Sequence, residues 1–499
     1  MKQPNILIIL TEDQGTQAGY LGTPGVQTTN IDALARTSVV FERAFVVYPV
    51  CSASKAALYT GMFNHANGIL NNTLNYHKPA AQLTEAEKNV PLYQRNRIKP
   101  DVMTLTEILS KAGYWQGVMH KLHVAPAEKF PYDEFLPDPS QRIATEFIKR
   151  AQEKQKPWFL LYNIPNSHRP YPNSDKKPIR VKPAEVKLPS YLPDTPEIRK
   201  DWAEYLAGIE EADARVGGAL AALKETGTEN DTLVIFLGDH GPSFQHGKMC
   251  LYDLGLRTPL LIRAPGKQKS TRTNALVSTV DLLPTILDYV GVSAPPGLHG
   301  KNLRPILEGK RGAQGAKAVF AEISHLGPLP NNGMQERVVF DGRYRLIYRE
   351  GPPKAARQVN ADSKDPKPWG NRSYNETLRV KEQFPVAFRV LQEMYPQGFG
   401  ITLPTFELYD TKTDPDELTN LAEEPTQQAT RKRLTELLQS WVRETRDKTS
   451  PLTSPPLPSS PGRSYLTGKG GSESPSSSPF PAKNERPGEG LGERLRTTS

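Results

Sequence analysis

Short, continuous apolar runs recur through the first half of the chain, and each one ends in polar residues. They cover residues 5–10, 114–119 and 158–164, and the centre of the segment 230–241. Runs of this length predict strands that are buried on both faces, as in a parallel sheet. Segments with helical periodicity alternate with these runs, at residues 29–35, 104–112, 199–226 and 282–290. The alternation predicts a doubly wound α/β domain over residues 1–310, with a parallel or mixed sheet between helices.

The pattern changes in the last third of the chain. Residues 337–349 (RVVFDGRYRLIYR) predict a hairpin, because an Asp-Gly pair lies between two β-rich halves. A further short strand is predicted at 406–410, and an amphipathic helix at 427–444. These elements predict a smaller antiparallel-sheet-plus-helix domain over residues 311–448. Residues 449–499 are rich in Ser, Pro and Gly with few apolar residues, which predicts a disordered tail.

Composition excludes several classes of protein. There are 63 Lys and Arg against 54 Asp and Glu, and this weak positive bias comes without a nucleic-acid motif or dense basic block. We therefore expect neither a nucleic-acid nor a membrane partner, since the longest apolar runs are strand-sized. Two cysteines, Cys51 and Cys250, exclude a framework of several disulfides but leave one bridge open.

The predicted strands end in acids, lysines and histidines. Taken singly, each is an ordinary polar loop residue. Ligand sites of open α/β sheets lie outside the carboxyl ends of the strands, so together these residues predict one site at that edge. The residues that follow the predicted strands are Glu12 and Asp13, Lys121 and His123, His168, and Asp239 and His240.

The stretch 48–61, YPVCSASKAALYTG, contains Cys51 at the approach to a predicted helix that begins near Ser54. A thiol at a helix N-terminus lies where backbone N–H groups favour an anion. The other interpretation is a buried cysteine that packs as a small hydrophobe. The stretch resembles the signature of the type I sulfatases, C-x-P-S-R-x-x-L-x-T-G. Ala53 replaces the usual Pro and Lys55 the usual Arg.

The resemblance extends over residues 1–445. Within the family, HKLHVAP and GDHGPSF are most similar to the heparan N-sulfatase (N-sulfoglucosamine sulfohydrolase) type. The resemblance implies an alkaline-phosphatase-like fold. The segments that carry it are NILIILTEDQG, TLTEILSKAGYWQGVMHKLHV, NDTLVIFLGDHG, VDLLPTILDYVGV and FELYDTKTDPDELTNLAEEP.

The resemblance also implies the chemistry of the site. Cys51 would be oxidised to formylglycine by a formylglycine-generating or anaerobic sulfatase-maturing enzyme. A divalent ion, usually Ca²⁺ in this family and less often Mg²⁺, would complete the site. Its ligands would be Glu12, Asp13, Asp239, His240 and residue 51. The groups around the sulfuryl oxygens would be Lys55, Lys121, His168 and Lys248, with His123 beside Lys121 as a base.

The implied substrate is a sulfated sugar or glycosaminoglycan fragment, with N-sulfoglucosamine favoured. Two alternatives stay open: a phosphonate or phosphodiester hydrolase on the same scaffold, and a non-catalytic protein that binds sulfated glycans. The family implies a periplasmic or secreted protein. No signal peptide precedes the first apolar run, so a cytoplasmic location also stays open. The sequence does not indicate the oligomeric state.

Overall fold

The apolar run at the start of the chain forms the strand Asn5–Thr11, which is buried from Ile6 onward. Alternate side chains of this strand enter two separate cores: Ile6, Ile8 and Leu10 pack on one face, Leu7 and Ile9 on the other. A strand with no polar face needs cover on both sides, so the chain is a layered α/β structure. These observations come from a computed structural model that describes residues 3–267, 270–324, 335–350, 372–450 and 452.

Twelve strands lie in the described part of the chain. They are β1 Asn5–Thr11, β2 Val39–Phe45, β3 Trp115–Met119, β4 Glu134–Leu136, β5 Trp158–Ile164, β6 Thr232–Gly238, β7 Arg257–Arg263, β8 Thr271–Ser278, β9 Val319–Ile323, β10 Gln335–Phe340, β11 Tyr344–Glu350 and β12 Phe406–Asp410.

Eight of these described strands form one mixed sheet, in the order β4-β3-β5-β1-β6-β7-β2-β8. Strands β4, β3, β5, β1 and β6 are parallel neighbours, with Ile6 opposite Phe159 on one side and Leu233 on the other. Strand β7 is antiparallel to both β6 and β2, and β2 is parallel to β8. The carboxyl ends of β1, β3, β5 and β6 therefore meet at one edge of the sheet.

Helices cover both faces of this sheet. One core contains apolar residues of the helices that begin at Thr29, Gln141 and Pro196, and the other contains those of the helices that begin at Cys51, Leu105 and Leu282. The α-helices of the described residues are α1 Thr29–Ala35, α2 Cys51–Thr60, α3 Asn64–Asn67, α4 Glu85–Lys88, α5 Pro91–Arg95, α6 Leu105–Lys111, α7 Gln141–Glu153, α8 Pro196–Glu225, α9 Asp253–Leu256, α10 Leu282–Val290, α11 Arg304–Leu307, α12 Arg372–Arg379, α13 Pro385–Met394, α14 Pro396–Phe399 and α15 Gln428–Glu444.

The second sheet is antiparallel, with the strand order β12-β11-β10-β9 in the described residues. Helix α15 packs Leu434, Leu438 and Trp441 against Val339 and Leu346 of this sheet. The predicted fold class, a mixed α/β sheet with helices and a smaller antiparallel-sheet-plus-helix part, is confirmed. Residues Met1–Ser454 form one compact unit that contains both sheets, and a domain boundary at 310 stays a prediction.

Three local details complete the comparison with the sequence. Helix α2 begins at Cys51 itself, three residues before the predicted start. Cys51 and Cys250 are both buried and form no disulfide. At the predicted start of the tail, Thr449 accepts a hydrogen bond from Arg337 at 2.6 Å, and the tail from residue 453 onward lies outside the described residues.

None of the helices in the described part of the chain combines the length and the apolar character that a membrane crossing requires.

Candidate active site

The parallel strands deliver most of the predicted site residues to one edge. Glu12 and Asp13 follow β1, His168 lies four residues after β5, and Asp239 and His240 follow β6. Because β5, β1 and β6 are adjacent and parallel, these side chains converge. All of them are buried except His168, whose side chain is 27% exposed.

Helix α2 places Cys51 at the centre of this edge. Cys51 is the first residue of the helix, and every residue from Cys51 to Thr60 is buried. Its Sγ lies 3.2 Å from His240 Nε2 and 3.9 Å from Asp13 Oδ1. Residues 189 positions apart in the chain are therefore in direct contact, as the predicted site requires.

Four side chains form a cluster that can hold a metal ion. One ligand atom from each of Asp13, Cys51, Asp239 and His240 lies within 4.8 Å of the others, and all four residues are buried. The backbone N–H of Asp13 donates to Asp239 Oδ1 at 2.8 Å. Asp239 Oδ2 is buried and has no hydrogen-bond partner among the described residues, which fits a bound cation.

The charges around this cluster attract positive charge. Burial opposes protonation of His240, but Asp239, Cys51 and Asp13 outweigh it and raise the pKa of His240 to about 9. Burial raises the pKa of Asp239, although His240 and Lys55 act against it. A divalent ion would take the place of the His240 proton and offset the charge of Asp239, so the residues present fit a metal.

Glu12 lies against two lysines. Its Oε2 accepts a hydrogen bond from Lys121 Nζ at 2.6 Å, and its Oε1 accepts one from Lys55 Nζ. Burial opposes ionisation of Glu12, but Lys121 and Lys55 hold its pKa well below the ordinary value. Lys55 Nζ also lies 3.7 Å from Asp239 Oδ2. Both oxygens of Glu12 are thus engaged by cations, and its predicted role as a metal ligand stays a prediction.

Lys248 and His168 lie on the other side of Asp13. Lys248 Nζ contacts both carboxylate oxygens of Asp13, at 3.1 and 3.0 Å, and lies 3.2 Å from His168 Nε2. Burial opposes ionisation of Asp13, yet Lys248, His168 and His240 lower its pKa well below the ordinary value. Asp13 therefore links the metal cluster to Lys248 and His168.

His123 is beside the site but is held differently. The segment from Lys121 to His123 is not a strand, and His120 and His123 both have positive φ, at 63° and 52°. The Nε2 of His123 donates to the carbonyl of Thr73 at 2.7 Å. Burial, followed by Lys121 and Lys55, holds the pKa of His123 well below its ordinary value. Its imidazole is therefore neutral, with Nδ1 as an acceptor.

Comparison with known proteins places the chain in a family. Residues 4–292 match the family model described as sulfatase, which is more than half of the chain. The chain belongs to the sulfatase family. Residues 238–371 also match the model described as N-sulphoglucosamine sulphohydrolase, C-terminal. The predicted family and enzyme class, a hydrolase of sulfuric esters or sulfamates, are confirmed.

Individual relatives of this sulfatase agree with that placement. Human N-sulphoglucosamine sulphohydrolase is 28% identical, over 89% of this chain and 90% of the relative. An ulvan-active sulfatase of Formosa agariphila is 27% identical, over 88% of this chain and 75% of the relative. The solved phosphonate monoester hydrolase of Silicibacter pomeroyi shares the fold, with a TM-score of 0.65 and 20% identity over 90% of this chain and 96% of that one.

A cleft of about 480 Å³ opens at the cationic side of the sulfatase site. Its lining includes Glu12, Lys121 and His168. The side chains of Lys121 and His168 are partly exposed, whereas that of Glu12 is buried. Asn75 and His120 line the same cleft. A volume of this size lies within the range of small-molecule sites, about 300–1,000 Å³.

Two polar residues of this site were not among the predicted site residues. His120 has a positive φ of 63° and lines the cleft. Gln14 is fully buried, and neither polar atom of its amide has a hydrogen-bond partner in the described part of the chain. The available signal was adjacency, because each directly neighbours a predicted site residue.

Proposed function

We propose that this sulfatase hydrolyses a sulfate ester or sulfamate of a sulfated glycan, with N-sulfoglucosamine as the favoured unit. The observation that carries the proposal is the packing of Cys51 among Asp13, Asp239 and His240, beside three lysines of which two, Lys55 and Lys248, are buried. The sulfamate is favoured by the C-terminal match and by the human relative, both of the N-sulphoglucosamine sulphohydrolase type. The ulvan-active relative of similar identity makes ester sulfates the second choice.

The proposed chemistry requires a formylglycine derived from Cys51 and a divalent ion. Together they supply a hydroxyl nucleophile and polarise the sulfuryl oxygens. The donors present, two carboxylates, one imidazole and residue 51, fit such an ion. The Ca²⁺ or Mg²⁺ that the family implies stays a prediction.

The lysines bind the anionic sulfuryl group and offset charge that develops on its oxygens. Lys55 and Lys121 are held by Glu12, and Lys248 by Asp13, so none has to reorganise during the reaction. Catalysis by preorganised charges of this kind depends on their exclusion from water, and Lys55 and Lys248 are almost fully buried.

Two histidines handle protons. His168 lines the cleft, 3.2 Å from Lys248 Nζ, and is placed to protonate the leaving nitrogen or oxygen. His123 is neutral, with Nε2 fixed on the carbonyl of Thr73, and its Nδ1 has no hydrogen-bond partner among the described residues. It can therefore accept the proton that must leave when sulfate is released.

The test combines mass spectrometry with parallel assays. The peptide spanning residue 51 should carry formylglycine after expression with a maturing enzyme. That protein should release sulfate from N-sulfoglucosamine faster than from O-sulfated glucosamine, and faster than it cleaves a phosphodiester. Turnover of the phosphodiester alone would favour a phosphonate or phosphodiester hydrolase. Binding of the sulfated sugar by fully converted protein, without sulfate release, would favour a non-catalytic binder.

Export to the periplasm or outside the cell is part of the same proposal. It rests on the family resemblance alone.

A further inference from the structure

The four side chains of the metal cluster offer chemically mixed donors. Asp13 and Asp239 supply carboxylate oxygens, His240 supplies a ring nitrogen, and Cys51 supplies sulfur. Hard ions such as Ca²⁺ prefer oxygen, whereas thiolate and imidazole together favour Zn²⁺. The chemical state of residue 51 therefore decides which kind of ion this cluster prefers.

The separations of the donor atoms suit a small tetrahedral ion. His240 Nε2 lies 3.2 Å from Cys51 Sγ, 3.5 Å from Asp13 Oδ1 and 3.8 Å from Asp239 Oδ1. Cys51 Sγ lies 3.9 Å from Asp13 Oδ1. Tetrahedral zinc bonds of about 2.0–2.3 Å place neighbouring donors about 3.3–3.8 Å apart. The side chains thus need only small shifts to close around such an ion.

A second observation points to a cation independently of the thiol. Asp239 Oδ2 is buried and has no hydrogen-bond partner in the described residues, while Oδ1 of the same carboxylate accepts from the backbone of Asp13. Lys55 Nζ lies 3.7 Å from Oδ2, beyond hydrogen-bond distance. A buried carboxylate oxygen without a hydrogen bond is costly, and a metal ion in the cluster removes that cost.

The charge balance makes the thiolate important. When His240 is neutral, as a metal ligand must be, three carboxylates face three lysines here and their formal charges cancel. With a neutral oxygen group at residue 51, a dication gains little from net charge, whereas a thiolate adds one negative charge in direct contact. The residues in this balance are Glu12, Asp13 and Asp239, and Lys55, Lys121 and Lys248.

We propose that the chain with an unmodified Cys51 is a zinc-binding protein. Cys51 and the imidazolium of His240 each lose a proton to solvent and, with Asp13 and Asp239, hold one Zn²⁺. Lys248 keeps its contact with Asp13, and Glu12 stays with its lysines. Conversion of Cys51 to formylglycine removes the sulfur and with it the preference for Zn²⁺. The inference rests on the proposed function only for the identity of this cluster as the metal site.

The test uses full-length protein expressed without a maturing enzyme, with the thiol verified by the mass of the peptide spanning residue 51. We expect one Zn²⁺ per chain in competition with a chromophoric chelator, undisplaced by millimolar Ca²⁺. Co²⁺ in place of Zn²⁺ should give a sulfur-to-cobalt charge-transfer band in the near ultraviolet. Cys51→Ser should lower the Zn²⁺ affinity about 100-fold or more and abolish the band.

Cys250→Ala is the matched control. Cys250 is the other buried cysteine, and its Sγ lies 3.6 Å from Met394 Sδ. This variant should keep both the Zn²⁺ affinity and the cobalt band, and a band lost with Cys250 instead of Cys51 overturns the proposal. So does displacement of Zn²⁺ by Ca²⁺, or an unchanged Zn²⁺ affinity in a Cys51→Ser protein that unfolds at the wild-type temperature.

If Cys51→Ser does not fold, His240→Asn replaces it. An amide oxygen in place of the imidazole should weaken Zn²⁺ binding and leave Ca²⁺ binding equal or stronger, and unchanged Zn²⁺ binding contradicts the proposal. Sulfate release is measured separately, on converted protein. The proposed function and the zinc proposal can therefore fail independently.

Discussion

At the scale of single residues, Glu12 shows how the site holds its cations. Its Oε1 accepts a hydrogen bond from Lys55, and its Oε2 accepts one from Lys121. Among the described contacts, no other residue connects these two lysines in this way. Glu12 lies next to Asp13 in sequence, yet Asp13 faces the metal cluster and Glu12 faces the lysines. The two adjacent acids therefore make different contacts.

The variant Glu12→Gln should separate the role of Glu12 from that of Asp13. Without the carboxylate charge, two buried ammonium groups lose their partner, and we expect the kcat of sulfate release to fall about 100-fold. The variant should keep its divalent ion, whereas Asp13→Asn should lose it. Elemental analysis of both purified variants is the measurement. If Glu12→Gln loses the ion as fully as Asp13→Asn, Glu12 is a metal ligand.

His168 gives a second prediction at this scale. If it protonates the leaving group, its loss matters most for a poor leaving group. We expect His168→Asn to lower kcat about 100-fold with N-sulfoglucosamine and much less with nitrophenyl sulfate, whose phenolate leaves without a proton. Equal losses on both substrates would assign His168 to sulfate binding instead.

At the scale of elements, a buried ion cluster joins α3 to the second sheet. His65 Nδ1 lies 3.0 Å from both oxygens of Glu322 on β9, and Arg337 on β10 donates to Asp447 at 2.8 Å. Burial opposes protonation, but Glu322 and Asp447 raise the pKa of His65. Burial and His65 lower the pKa of His299, stacked beside it, to about 4. Helix α3 closely follows the helix that carries Cys51.

The raised pKa of His65 makes this contribution dependent on pH. A group with a raised folded-state pKa stabilises the fold fully below its unfolded pKa of about 6.5, and that stability is lost as pH rises through the folded pKa. His65→Gln should therefore cost about 3 kcal/mol near pH 6 and less near pH 9. Urea unfolding of the wild type and the variant at the two pH values measures this gap in the free energy of unfolding. A gap independent of pH would mean that His65 is not charged in the fold.

Some elements could be predicted from sequence because their signal is local. The continuous apolar run of β5 and the apolar face of α10 gave boundaries that the structure matches, and so did β12. The start of α2 was predicted three residues late, since Cys51, Ser52 and Ala53 carry no capping signal and are buried by tertiary packing. Propensity is weak where tertiary contacts decide.

The candidate site was predictable as a set and not as a geometry. Polar residues at the ends of β1, β3, β5 and β6 indicate one edge, because parallel strands deliver them together. The sequence does not contain the pairing of Lys55 with Glu12, which depends on how α2 packs on the sheet. The sequence also does not show that two histidines with positive φ, His120 and His123, flank Lys121 and interrupt an extended backbone.

At the scale of the whole molecule, the second sheet braces the catalytic edge. Arg345 of β11 is fully buried and donates to Asp253 Oδ1 at 2.8 Å, and its Nε lies 2.5 Å from Glu417 Oε1. Asp253 begins α9, five residues after Lys248. The ion pair thus connects the small sheet to the segment that contains Lys248.

Arg345→Met should therefore cost both stability and activity. It removes the arginine that faces the buried carboxylate of Glu417, so we expect a loss of about 3–5 kcal/mol in the free energy of unfolding. Arg343→Met is the control, since Arg343 pairs with Asp410 with its own side chain 52% exposed and should cost about 1 kcal/mol or less. Denaturant unfolding and kcat at one temperature are the measurements. Equal losses in both variants would remove Arg345 as a brace.

The complete burial of Cys51 has a consequence for the timing of the oxidation proposed for it. Its partner His240 is synthesised 189 residues later, and at about 5–20 residues per second the thiol waits roughly 10–40 s for the pocket that encloses it. A modifying enzyme can reach the thiol only during this interval or while the chain is otherwise open. The fraction of chains that carry the modification then depends on the rate of modification relative to the rate at which the chain is synthesised and folds. Slower translation between these positions should raise the yield of converted protein.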